Sequence, residues 1–162
     1  MRAILSGLFF LFMTTMCFAQ SNSEKKARPI PVGLLDVDPL FLDESCEKND
    51  DPSQNFRMSV PCISKFLDNE ISLSEELASK MFGLNGGRYP VVNIGFIVES
   101  DSTISTISFR VRGQALSEFT DSIKSVLESS LKWAPGVKSG EAVRATVIFP
   151  YYYKRYSGEQ GN

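Results

Sequence analysis

The stretch from Lys132 to Tyr153, KWAPGVKSGEAVRATVIFPYYY, restricts the possible fold more than any other part of the chain. A helix is expected to end just before it. Trp133, a Pro-Gly turn at Pro135-Gly136 and a Ser-Gly turn at Ser139-Gly140 follow. A strand is then predicted from Val143 through Phe149 into Pro150. Val143, Ala145, Val147 and Phe149 fall on one face, and Arg144 and Thr146 fall on the other. That two-residue period marks a strand buried on one side only. The segment holds no catalytic group, so it speaks for binding before catalysis.

The first nineteen residues read as something other than fold. Arg2 gives a short positive start, and Ile4 to Phe12 is apolar apart from Ser6 and Gly7. Cys17-Phe18-Ala19 forms a small-x-small site. Residues 1–19 are therefore read as a secretory signal peptide, cleaved between Ala19 and Gln20. Two alternatives stand beside this. Lipidation at Cys17 wants a small residue just before it, and Met16 is not small. Retention as a membrane anchor wants about 20 apolar residues, and this run is shorter.

Cleavage leaves Cys46 and Cys62, an even pair in an oxidising compartment. A disulfide between them is the leading expectation, with two separate thiols as the alternative. They are not in a CxxC arrangement, which argues against a redox site. On the chain-entropy argument, such a bridge contributes about 3 kcal/mol.

The 17 Lys and Arg residues against 19 Asp and Glu give a net charge of −2, which disfavours nucleic acid as a partner. Asp36, Asp38, Asp43, Glu44, Glu47, Asp50 and Asp51 cluster against a single Lys48. Such a run suits a solvated loop. Its alternative is a Ca²⁺ site, but EF-hand spacing is absent. The chain has no His. This removes Ser-His-Asp, Cys-His and His-based metal chemistry, so no enzyme activity, cofactor or metal is expected. Asn85-Gly86-Gly87 is not followed by Lys-Ser/Thr and is no phosphate loop.

Along the rest of the chain, residues 20–35 read as a short tether ending near Pro29-Ile30-Pro31. Ser59 is expected to cap a helix with Pro61 in its first turn and Ile63, Phe66 and Leu67 on its apolar face. Ser74 is expected to cap a second helix presenting Leu77, Met81 and Phe82. Val92, Ile94, Phe96 and Val98 alternate, as do Ile107, Phe109 and Val111, which predicts an antiparallel hairpin. Leu116, Phe119, Ile123, Val126, Leu127 and Leu131 recur at helical spacing. Trp133 reads as a core residue whose indole N–H needs a partner. Tyr151 continues the core face of the last strand, and residues 157–162 read as a disordered tail. The expected architecture is α+β: a three-stranded antiparallel sheet with two or three helices packed on one face, within a domain spanning 36–156.

The order of these features resembles the TonB C-terminal domain family across residues 36 to 153. Pro39-Leu40-Phe41, Cys46, Cys62, Ala78, Gly86, Ile94-Gly95-Phe96-Ile97-Val98, Trp133-Pro135-Gly136, Gly140, Val143 and Phe149-Pro150-Tyr151 stand in the family's sequence order. Two positions depart from it. Leu73-Ser74 replaces a Tyr-Pro pair, and Asp101-Ser102 replaces an Asp-Gly hairpin turn.

The resemblance implies an exported, non-enzymatic binding domain in the periplasm. Its partner would be an envelope protein, such as the short box peptide of an outer-membrane receptor serving transport. That peptide would add to the edge strand formed by Val143, Arg144, Ala145, Thr146, Val147, Ile148 and Phe149, with Arg144 as a side-chain contact. One alternative is an energy transducer anchored in the inner membrane by an uncleaved residue 1–19 segment. Another is a stand-alone structural or homodimerising domain. Sequencing the mature N-terminus separates the first two: cleavage gives a chain starting at Gln20, and an intact Met1 in the inner membrane overturns it.

Overall fold

Two runs of alternating apolar residues build the centre of the molecule. The computed structural model describes residues 26–43, 46, 50–130 and 132–153. The leader with its Ala19–Gln20 site, the first residues of the tether, Leu131 and the tail from 154 onward lie outside the described residues. Strand β1 is Ile30–Pro31, β2 is Leu40–Phe41, β3 is Val91–Val98 and β4 is Ile104–Arg112. Helices α1, α2 and α3 span Asn55–Glu70, Glu75–Leu84 and Ser117–Ser130. Strands β5 to β8 are Trp133–Ala134, Gly136–Lys138, Glu141–Val143 and Ala145–Tyr152.

The architecture is α+β, as expected, but the main sheet has four strands in the order β1-β8-β3-β4. Strands β8, β3 and β4 are the three antiparallel strands read from the sequence. The fourth, β1, comes from the segment expected to be a tether, and it pairs parallel to β8 through Ile30 with Ala145 and Pro31 with Thr146. The hydrophobic period gave no signal for so short a strand. Two smaller sheets, β2 with β5 and β6 with β7, flank this one.

Strands β3 and β8 pair without a register break from Val91–Tyr152 to Val98–Ala145. Val92, Ile94, Phe96 and Val98 on one strand, and Val147, Phe149 and Tyr151 on the other, are buried. They meet Ile63 and Leu67 of α1, Met81 of α2, and Phe119, Ile123 and Leu127 of α3 in one core. The helices thus cover one face, and Ile148 and Tyr152 on the opposite face are exposed. Tyr151 donates to Asp68 Oδ1 at 2.8 Å. Burial, then this bond, push its phenol pKa upward.

Helix α1 begins at Asn55 rather than at Ser59. Asp51 caps a preceding 3-10 turn at Pro52–Gln54 by accepting from the Ser53 N–H at 3.0 Å, so the helical path is nucleated upstream. Ser59 then lies a turn inside the helix. Its hydroxyl donates to Asn55 O at 2.7 Å and accepts from the Phe41 N–H at 3.4 Å, tying β2 to the helix. Ser74 caps α2 as expected, accepting from the Leu77 N–H at 3.2 Å. Phe82 is not on the buried face of α2; it is exposed and stacks on Tyr89 at 5.2 Å.

Cys46 and Cys62 form a disulfide, with Cα atoms 5.6 Å apart. It ties the acidic loop to α1. Trp133 sits between Phe41 at 5.6 Å and Phe96 at 5.3 Å. Its Nε1 is buried and has no acceptor among the described residues, contrary to expectation. The Phe96 ring stands edge-on to the indole, so packing area rather than a hydrogen bond holds this side chain. A Cβ at Gly136 would lie 2.7 Å from Leu35 Cδ1 and 3.3 Å from Ala145 Cβ, so a larger residue there would make the Leu35 side chain move.

The two faces of the sheet predict opposite responses to truncation. Phe96→Ala should lower unfolding free energy by about 3–5 kcal/mol through the cavity it leaves. Ile148→Ala, on the uncovered face, should change it by less than about 0.5 kcal/mol. Urea denaturation followed by circular dichroism measures both.

Candidate functional site

The residues expected to form the partner-binding edge do not form one continuous strand. Val143 belongs to β7 and pairs with Gly136. Arg144 lies in neither β7 nor β8. Ala145 to Phe149 belong to β8, which runs on to Tyr152. The break follows from the turn at Ser139 and Gly140, whose φ values of 54° and 81° close a tight two-residue hairpin between β6 and β7. That hairpin uses Val143 as a ladder residue, and the chain then changes sheet.

Strand β8 is also not the outermost strand at its start. The Ile30 N–H donates to Arg144 O at 2.9 Å, and the Val32 N–H donates to Thr146 O at 3.2 Å. The backbone groups of residues 144 and 146 therefore point toward β1. Strand geometry carries the same direction to every second residue, so those of Ile148, Pro150 and Tyr152 point the same way. Gly33, with φ of 82°, turns the chain off at this point. Past Thr146 no described strand pairs with that side of β8. The open edge therefore offers N–H donors at Ile148 and Tyr152 and carbonyl acceptors at Ile148, Pro150 and Tyr152. Pro150 has no donor to offer.

Among the described residues the outer edge of β4 is also unpaired, and it is guarded. Thr106 takes a φ of 54° where the β3–β4 register shifts, and Arg110 and Arg112 stand exposed. A bulge and outward charges are the ordinary means by which a sheet edge resists adventitious pairing.

Arg144, expected as a contact to a partner, is engaged internally. Its Nε donates to Glu99 Oε2 at 2.7 Å and its Nη2 to Glu99 Oε1 at 3.0 Å. Its Nη1 donates to Ala27 O at 2.6 Å. Glu99 is 5% exposed at the end of β3 and also accepts from the Ser105 hydroxyl. Lys26 Nζ lies 3.7 Å from Glu99 Oε1. The Arg144 hydrogen bonds, more than any other contact, hold the Glu99 carboxyl below its ordinary pKa. Sequence reading missed Glu99, because a lone Glu after a strand has no signature of burial. It also missed β1, although Pro29-Ile30-Pro31 carries one: proline at alternate positions suits an edge strand whose outward N–H sites are empty.

Among its described residues, the acidic cluster does not converge. Asp36 accepts from Lys138 Nζ at 2.9 Å and from the Ser139 N–H at 2.6 Å. Asp38 is buried and accepts from the Gly33 N–H at 2.9 Å. Asp43 lies close to Cys46 and Cys62, but those sulfurs are bonded to each other and are poor metal ligands. The depression lined by Asp121, Lys124, Ser125, Glu128 and Ser129 lies along the outer side of α3 alone and brings no groups together from different elements.

Among the described residues, the geometry defines an α+β domain in which part of the β8 edge is open and unguarded, next to a buried ion pair. A scan against protein-family models finds no match, and a search of the curated proteins finds none either. No described helix is long and apolar enough to cross a membrane.

Glu99 sets a pH dependence. Its folded pKa is depressed, so its stabilisation is complete above the ordinary value of 4.5 and is lost as pH falls through the lower folded value. Glu99→Gln should cost about 1–3 kcal/mol at neutral pH. The difference between variant and wild type should shrink as pH falls below the ordinary carboxyl value of 4.5. Denaturation curves collected across that range test this, and a pH-independent difference would refute the assignment.

Proposed function

We propose that the chain is an exported, non-catalytic binding module of TonB C-terminal type. It docks an extended peptide from an envelope or outer-membrane transport protein by strand addition to β8. The observation that carries this reading is the run from Val147 to Tyr152, paired with β3 on one side and, among the described residues, open on the other. A strand there would be held mainly by backbone hydrogen bonds, with side chains read on alternate positions.

Further features support it. The exposed Ile148 and Tyr152 side chains flank the open groups and offer apolar contact to every second residue of an incoming strand. The edge spans about six residues, or about 20 Å, which suits a short linear motif. The lack of His favours binding over catalysis. The resemblance of the Trp133-Pro135-Gly136 segment and the following strand to the TonB family supplies the partner class: the box peptide of an outer-membrane receptor.

The edge geometry selects the decisive substitution. Ile148→Pro removes an outward N–H without touching the β3 ladder, and Pro150 already occupies the equivalent position one pair further along. The variant should keep its thermal midpoint and lose at least about tenfold in affinity for receptor box peptides, measured by calorimetry. Unchanged binding, with the fold intact, would sink strand addition at this edge.

A further inference from the structure

The segment from Lys26 to Val32 lies on the same edge of β8 that the strand-addition reading uses. We propose that it is a displaceable strap: docked, it sets where a partner strand begins, and released, it lengthens the accepting edge back to Ala145. This inference rests on the strand-addition reading.

The strap is attached by few contacts. Its strand is two residues long, and its backbone donors to β8 are the N–H groups of Ile30 and Val32. Ala27 O and Lys26 Nζ add one hydrogen bond and one ion pair. The Lys26 side chain is 69% exposed, so that pair contributes little. Ile30 and Val32 are only half-buried, with Val32 packing on the margin of the core, whereas Ala145 and Val147 of the neighbouring strand are fully buried. Segments with few buried contacts open at lower free energy than the core.

Release leaves no buried charge unpaired. Glu99 and Arg144 both belong to the sheet region and keep their two-point contact with each other when the strap departs. The Nη1 of Arg144 then loses Ala27 O and becomes a free donor at the head of the edge. Arg144 thereby becomes available as a side-chain contact to a partner. The prolines fit the same device. Ile30 and Val32 point their N–H groups at β8, so Pro29 and Pro31 fall at positions whose nitrogen faces away. The strap therefore offers no outward donor there and closes the sheet instead of extending it. Fixed φ values also keep the segment extended when free, which favours its return.

The test uses the full chain. Amide hydrogen exchange should show Ile30 and Val32 exchanging at least about a hundredfold faster than the Val147 amide, which points at β3. Exchange at the same rate as the core would overturn displacement. Ile30→Pro combined with Val32→Pro removes both strap donors, and receptor box peptides should then bind about tenfold more tightly than to wild type. Should the double variant fail to fold cooperatively, Ile30→Pro alone should give a smaller gain in the same direction. Equal binding to wild type and variant would overturn control by the strap and leave strand addition standing. Binding to neither would overturn both.

Discussion

The antiparallel pairing of β3 with β8 is the contact on which the rest of the domain depends. It runs eight residues without a register shift, and its inward side chains are the centre of the core. Each helix covers part of this one surface. Phe96 and Phe149 pack at 6.3 Å, Phe56 of α1 reaches Phe149 at 6.3 Å, and Trp133 reaches Phe96 at 5.3 Å. Burying side chains of this size contributes roughly 1.5–3 kcal/mol each, more than any surface ion pair here. A one-residue slip of β8 would turn its whole apolar set to solvent, so the core enforces the register.

That same constraint creates the functional edge. Because the odd-numbered backbone groups of β8 are used by β3, the even-numbered ones must face the other way. Their fate is decided by whatever lies alongside. The strap takes the first of them, and no described strand pairs with those from Ile148 onward. Glu99 and Arg144 mark the boundary at the start of this edge. The pair is nearly dry, and removing one partner would leave the other charge in a poorly solvated place, which is costly. The edge is thus held rigid at one end and free at the other.

Much of this organisation was legible in the residues. Alternation at Val92 to Val98 and at Val143 to Phe149 specified two strands, and their buried faces stand as read, on the second strand from Ala145 on. Helical spacing from Leu116 to Leu127 specified α3, and Ser74 marked the start of α2. The turn chemistry of Ser139-Gly140 was read correctly, but its consequence was not. Both residues adopt positive φ, the chain doubles back at once, and Val143 is consumed by β7 instead of beginning β8. The start of α1 was misplaced because the helix is entered through the 3-10 turn that Asp51 caps, and its own first turn has no side-chain cap. The hydroxyl of Ser59 serves equally well inside a helix when it bonds back to a carbonyl.

What the sequence determined alone was local: which residues prefer strand or helix, which face of each is apolar, and where the chain turns. These follow from side-chain period and backbone preference, which act over a few residues. Only the tertiary structure decided that Ile30 lies beside Ala145, that Glu99 is buried against Arg144, and that the edge of β8 opens at Val147. Those are contacts between segments distant in the chain. Their free energy comes from burial and from backbone hydrogen bonds that carry no side-chain signature. For that reason the faces of β8 could be read from its residues, and its neighbours could not.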